Sequence, residues 1–199
     1  MERLSSGKKI NSAADDAAGF AIAERMTAQV RGLNMATKNA NDGLAMLATI
    51  ENATNDVTDM LQRVRELAVQ AANDTNSGTD REYLQLEVDS LLAEINRVSS
   101  QTVYNNQNVL DGSRSGTLQV GTDNGQTIAF NIESIDTGAL GLTNFEVNDS
   151  AGNAPGTTGY TSTTSSLSVL DAGAAAEALD KISIAIEQVA EDRAGYGAL

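Results

Sequence analysis

The 199-residue chain has 13 basic and 27 acidic side chains, a formal net charge of −14 and a sequence pI near 4.2. That balance excludes nucleic acid and anionic lipid as primary partners, because both need clustered Lys and Arg. There is no Cys and no His, which removes thiol nucleophiles, imidazole acid–base chemistry, Ser–His–Asp triads and the common zinc sites.

Only 4% of residues are aromatic and Trp is absent, so burial must come from Ala, Leu, Ile and Val, as close helix–helix contact prefers. The start of the chain has no apolar core segment of a secretory signal, and no apolar run approaches the ~18 residues of a membrane span. Membrane insertion is therefore not expected, and export would need another route.

Residues 1–11 read as a polar connector. Ser12 to Asp15 supply a capping-box pattern, with Asp15 and Asp16 in the first turn at the positive helix end rather than forming a catalytic or metal pair. Leu33, Ala36, Ala40, Gly43, Leu47, Ile50, Thr54, Val57, Leu61, Val64, Ala68 and Ala71 then fill the a and d positions of a heptad. These ~39 residues at 1.5 Å each make a helix of roughly 58 Å. Ile22 and Met26 share its phase, so the predicted helix spans about residues 12–72. Gly32 and Gly43 mark a bend or the close approach of a neighbour.

Asn73 to Gly78 reads as a turn. A second capping pattern, Thr79 to Glu82, opens a helix over about residues 79–100, with Leu84, Val88, Leu91, Ile95 and Val98 on its apolar face. A short link between two such helices favours an antiparallel pair. Residues 113–170 change character. Thr117–Gly121 and Gln126–Ile132 flank Asp123-Asn-Gly125, the pair preferred where a tight turn needs two positive φ angles, so a β-hairpin is predicted. Leu142–Val147 adds a short strand, and residues 148–166, with the only proline, read as an exposed loop.

Over residues 171–199 the heptad returns. Asp171 caps a helix in which Ala175, Leu179, Ile182, Ile186 and Val189 face inward, packing back on the first two. The predicted fold class is mainly α with a small β part (α+β): an elongated antiparallel helical bundle or coiled coil with a β-hairpin region at one end. Within it, residues 12–112 form the N-terminal helical part.

Several motifs, in order, resemble bacterial flagellin. They are Arg3-Leu-Ser-Ser-Gly-Lys-Lys-Ile-Asn-Ser12, Ala14-Asp-Asp-Ala-Ala-Gly19, Ala36-Thr-Lys-Asn-Ala-Asn-Asp-Gly43 and Leu61-Gln-Arg-Val-Arg-Glu-Leu-Ala-Val-Gln70. Glu94-Ile-Asn-Arg-Val98, Thr102-Val-Tyr-Asn-Asn106 and Val109-Leu-Asp-Gly112 continue the likeness. It loosens over residues 174–199, where Tyr196 stands in place of the usual Leu. The resemblance implies the core domain of a filament subunit, without the terminal helices that family members carry, and hence a monomeric fragment. It implies an extracellular, flagellar location, export by the flagellar type III route without a cleaved signal, and the export and chaperone machinery as partners. Other flagellin subunits are further partners, as is the animal Toll-like receptor that senses flagellin.

Residue by residue, the resemblance assigns receptor contact to Arg63, Leu67 and Glu87. Arg63, Arg65 and Glu66 are also candidates for subunit contact, although helix charges alone usually mark only a solvated face. A hook–filament junction protein or a surface adhesin is the alternative reading. Catalysis is not expected, since a His-Glu-x-x-His protease site cannot be built without His, and no cofactor is implied. Asn52-Ala-Thr54 and Asn148-Asp-Ser150 fit the short N-glycosylation pattern, and Thr157–Ser166 offers hydroxyls for O-linked sugar.

Overall fold

The computed structural model describes Gly7 and residues 16–143, 145–146, 164–165 and 167–198. Its elements are α1 (Ala17–Ala71), α2 (Gly78–Gln101), β1 (Val103–Tyr104), β2 (Gln107–Asn108), β3 (Asp111–Gln119), β4 (Thr127–Ser134), β5 (Phe145–Glu146), β6 (Thr164–Ser165) and α3 (Ala172–Gly197). The strands pair as β1–β2, β3–β4 and β5–β6, with β1–β2 and β5–β6 antiparallel. The expected strand near Leu142–Val147 is thus realised as β5; the rest of the predicted 148–166 loop, with its sugar-acceptor residues, lies outside the described residues apart from β6.

The contacts divide the chain into two compact units. The larger holds residues 46–115 and 131–199. Its core is the second half of α1, where Ile50, Val57, Leu61, Val64, Ala68 and Ala71 are fully buried, as the heptad requires. Val88, Leu92 and Ile95 of α2 are buried, as are Ala174, Ala175, Ala178, Ile182, Ala185 and Val189 of α3. The seams of the two shorter helices are therefore offset from the sequence reading. Leu92 and Ser99 replace Leu91 and Val98, and Ala178 and Ala185 lie deeper than Leu179 and Ile186. Small Ala side chains on α3 let helix backbones approach, and the larger neighbours slide to the flanks.

Polar groups fix the connections. Arg81 Nε donates to the Ala71 carbonyl at 2.9 Å, and its NH2 donates to Asn73 O at 3.2 Å, so α2 caps the open end of α1. The Gln85 side chain then holds the entry to α3: Nε2 donates to Leu167 O (2.9 Å) and Oε1 accepts from Val169 N (2.7 Å). The start of α3 is thereby set beside the start of α2. Its end meets Leu47 and Glu51 of α1, so α3 runs antiparallel to the long helix.

Three capping predictions meet different outcomes. Asp171 caps α3 as expected, its Oδ1 accepting from Ala174 N at 2.8 Å. The capping box of α2 is Ser77 with Asp80, two residues before the predicted Thr79, because Ser77 has the extended backbone a cap needs. The described part of α1 begins at Ala17, with Asp16 Oδ1 accepting from Gly19 N (2.9 Å); the predicted start at Ser12 lies outside the described residues.

The second unit comprises residues 1–45 and 116–130. Here the β3–β4 tip packs on one side of α1. Both helix glycines serve close approach rather than a bend: a Cβ on Gly43 would meet Leu118 Cδ1 at 2.5 Å, and one on Gly32 would meet Thr122 Cγ2 at 2.8 Å. Asn39 Nδ2 adds a hydrogen bond to Gln119 O at 3.0 Å. Ala36 and Gly43 are buried, but Ile22, Met26 and Leu33, predicted as seam residues, are exposed. Their periodicity is helical, yet the hairpin tip covers only the Ala36–Gly43 side.

The tip turn also departs from the expected type. Only Gly125 takes a positive φ (87°), and Gln126 N closes on Asp123 O. The tight turn with two left-handed residues occurs instead at Asn105 (φ 50°) and Asn106 (φ 60°), between β1 and β2.

A Gly43→Leu substitution tests the slot. Leu favours helix more than Gly, so any loss must come from displaced packing. The expected outcome is a destabilisation of about 1–3 kcal/mol in urea melts, with amide exchange quickened within residues 116–130.

Candidate interaction surface

Of the residues singled out in the sequence, three meet. Arg63 on α1 reaches across to α2, its Nε donating to Glu87 Oε1 at 2.8 Å and its NH2 lying 2.7 Å from the same oxygen. Its NH1 donates to Glu66 Oε2, one turn along, at 3.0 Å. Hydrogen bonding to Glu87, then to Glu66, raises the Arg63 pKa further above its ordinary value. The guanidinium is thus a fixed cation held between two carboxylates, with side chains 44–68% exposed. An exposed network of this kind adds little stability but presents a defined fork of donors and acceptors to a partner.

Arg65 is exposed as well. Leu67 is not: it is 1% exposed, inside the core of the larger unit. As a direct surface contact, Leu67 is corrected. It follows Glu66 by one residue, and that step turns its side chain about 100° around the helix into the seam. Around the network, Val69 of α1 and Tyr83 and Leu86 of α2 are exposed apolar side chains. An ion-paired centre with apolar neighbours is a composition suited to protein contact.

A second cluster was not legible as such. A cavity of about 370 Å³ opens between Leu47 and Glu51 of α1 and Ala190, Arg193, Tyr196 and Gly197 of α3. Beside it, the Tyr196 hydroxyl and one Asp192 carboxylate oxygen are buried with no hydrogen-bond partner among the described residues. Burial, then the Asp192 charge, pushes the Tyr196 hydroxyl up to about 12; only the backbone of Glu133 offsets this. Burial first, then the charges of Glu133 and Glu191, raises Asp192. The available signal was Tyr196 itself, a polar tip at a position that resembles a Leu site.

Among the described residues, no group of three or more carboxylates could hold a metal ion, and no helix is long and apolar enough to cross a membrane.

The fold and this surface define a helical-bundle protein whose distinctive chemistry lies on outer helix faces. Residues 1–115 match the family model for the bacterial flagellin N-terminal helical region, and the chain belongs to the flagellin family. Flagellin 1 of Proteus mirabilis is 48% identical over 159 residues, 79% of this chain and 44% of the relative. Phase 1 flagellin of Salmonella naestved is 50% identical over 148 residues, 74% of this chain and 29% of the relative. The chain thus spans less than half the length of these relatives. The fold is similar to FliC from Burkholderia pseudomallei (TM-score 0.63, 22% identity, covering 78% of this chain and 98% of that one). It is similar also to Bacillus cereus flagellin (TM-score 0.61, 25% identity, 81% of each chain).

The raised carboxyl of Asp192 makes a signed prediction. A group whose folded pKa is raised contributes stability that is complete below its unfolded pKa and is lost as pH rises through the folded value. Asp192→Asn should therefore raise the melting temperature at neutral pH, and the gap to the parent should close below the ordinary aspartate range. Thermal melts across that pH range check both parts.

Proposed function

We propose that this chain is a structural subunit of the bacterial flagellar filament, polymerising with other flagellin subunits for motility. The observation that carries the reading is the family match over residues 1–115, with relatives near 50% identity that are themselves named flagellin. Subunits that join through unlike faces, without closing a ring, build helical filaments, and exposed helix faces of the kind at Arg63 suit such joints. The subunit is extracellular, leaves the cell by the flagellar type III route, and is handled there by the flagellar export and chaperone machinery. Immunogold microscopy with antibodies to this chain tests the role. Label along the whole filament is expected; label confined to the hook end would indicate a junction protein, and label on the cell body alone a surface adhesin.

The same helix pair is the proposed contact for the animal Toll-like receptor that senses flagellin. Arg63, Glu66 and Glu87 offer a preformed fork, Arg65 lies on the adjoining face, and buried Leu67 supports the backbone beneath them. Arg63→Ala should weaken binding to the receptor ectodomain roughly tenfold or more, as for a central Arg anchor. The melting curve should barely move, because the pairs are solvent-exposed. Unchanged affinity would remove Arg63 from the contact.

A further inference from the structure

We propose that Asn124–Gly125, at the tip of the β3–β4 hairpin, is a site of spontaneous covalent modification through a cyclic imide. This is the only Asn-Gly pair in the chain. Both residues are exposed, and nothing lies within 4 Å of where a Cβ on Gly125 would stand. Neither the Asn124 carboxamide nor the Gly125 N–H takes part in a hydrogen bond among the described residues. The bonds that hold the turn all pass around the pair. Gln126 N donates to Asp123 O, Gln126 Oε1 accepts from Asp123 N at 3.1 Å, and Gln119 Nε2 donates to Asp123 O at 2.8 Å.

The chemistry needs only water. The Gly125 amide nitrogen, giving up its proton, attacks the side-chain carbonyl carbon of Asn124. A new C–N bond closes a five-membered ring, the carboxamide C–N bond breaks, and ammonia leaves carrying the proton. Water then opens either carbonyl of the ring, leaving aspartate or isoaspartate; no electrons are exchanged. Glycine is the most permissive successor because it has no Cβ to crowd the attacking nitrogen. Asparagine is a thermally labile residue for this reason among others.

The chain carries its own control at Asn76–Ser77. There the Asn76 carboxamide donates to Gln70 O and Asn73 O, and the attacking amide, Ser77 N, is held by Asp80 Oδ2 at 3.0 Å. Both reacting groups are occupied by the end of α1 and the capping box of α2. The fold thus shields one asparagine and leaves the other open. Each event at Asn124 adds one negative charge, and the isoaspartyl product adds a methylene to the backbone beside Thr122, which packs at Gly32.

The test is to incubate the intact chain at mildly alkaline pH and body temperature, then map peptides by mass spectrometry and label isoaspartate with its methyltransferase. The expected result is a one-dalton gain at Asn124, several-fold faster than at Asn76, and absent in Asn124→Gln. In denaturant, Asn76 should speed up several-fold while Asn124 changes little. Native Asn76 reacting as fast as Asn124, or Asn124 staying unchanged until the chain is unfolded, would overturn the proposal.

Discussion

The larger unit depends on one apolar stripe, the seam of α1 from Ile50 to Ala71. Ile50, Val57, Leu61 and Val64 are wholly withdrawn from water, at a gain of about 1.5–3 kcal/mol for each large side chain. No other element could bury its own apolar face without this one. α2 is too short to present a long surface, and the inward face of α3 is largely Ala. The seam is also what orients the outside of the helix: with Val64 and Leu67 turned in, Arg63, Arg65 and Glu66 must turn out. The candidate contact surface is in this sense the reverse side of the core.

Buried polar side chains find partners both locally and across elements: Thr54 donates to Glu51 O in its own helix, whereas Ser99 and Thr137 bond between segments. Ser99 Oγ donates to Leu110 O, and Asn96 Oδ1 accepts from both the amide and the hydroxyl of Thr137, each at 2.9 Å. These bonds tie the segments before and after the hairpin to α2, where an unmet buried group would cost about 1–3 kcal/mol. Three buried polar atoms lack a partner among the described residues: Arg114 Nε on β3 and, near the end of α3, one carboxylate oxygen of Asp192 and the Tyr196 hydroxyl.

Much of this was legible in the sequence, and the misses share a cause. The heptad from Ala36 to Ala71 and the Asp171 cap depend on local periodicity and local hydrogen bonds, which neighbouring residues alone specify. Ile22, Met26 and Leu33 keep the same period but lack a covering partner, and periodicity carries no information about how far a partner extends. The resemblance alone places Leu67 among the contacts, whereas its place one residue beyond Glu66 puts it in the seam. Gly32 and Gly43 fit a bend or a close approach equally well in sequence; what decides between them, Thr122 and Leu118, lies some eighty residues later. The pairing of Arg63 with Glu87 likewise joins two helices, so only the packed structure brings those charges together.

The chain leaves the helical core after Leu142 and returns at Leu167, both fully buried, with Leu167 N bonded to Leu142 O at 3.3 Å. Gln85 grips the returning segment, holding the Leu167 carbonyl and the Val169 amide as a partner strand would. The exit and the re-entry are therefore fixed to each other and to α2, independently of the sequence between them. Loop entropy rises only slowly with length, so this junction behaves as a socket: segments of very different size can be accommodated there while the register of α3 stays unchanged.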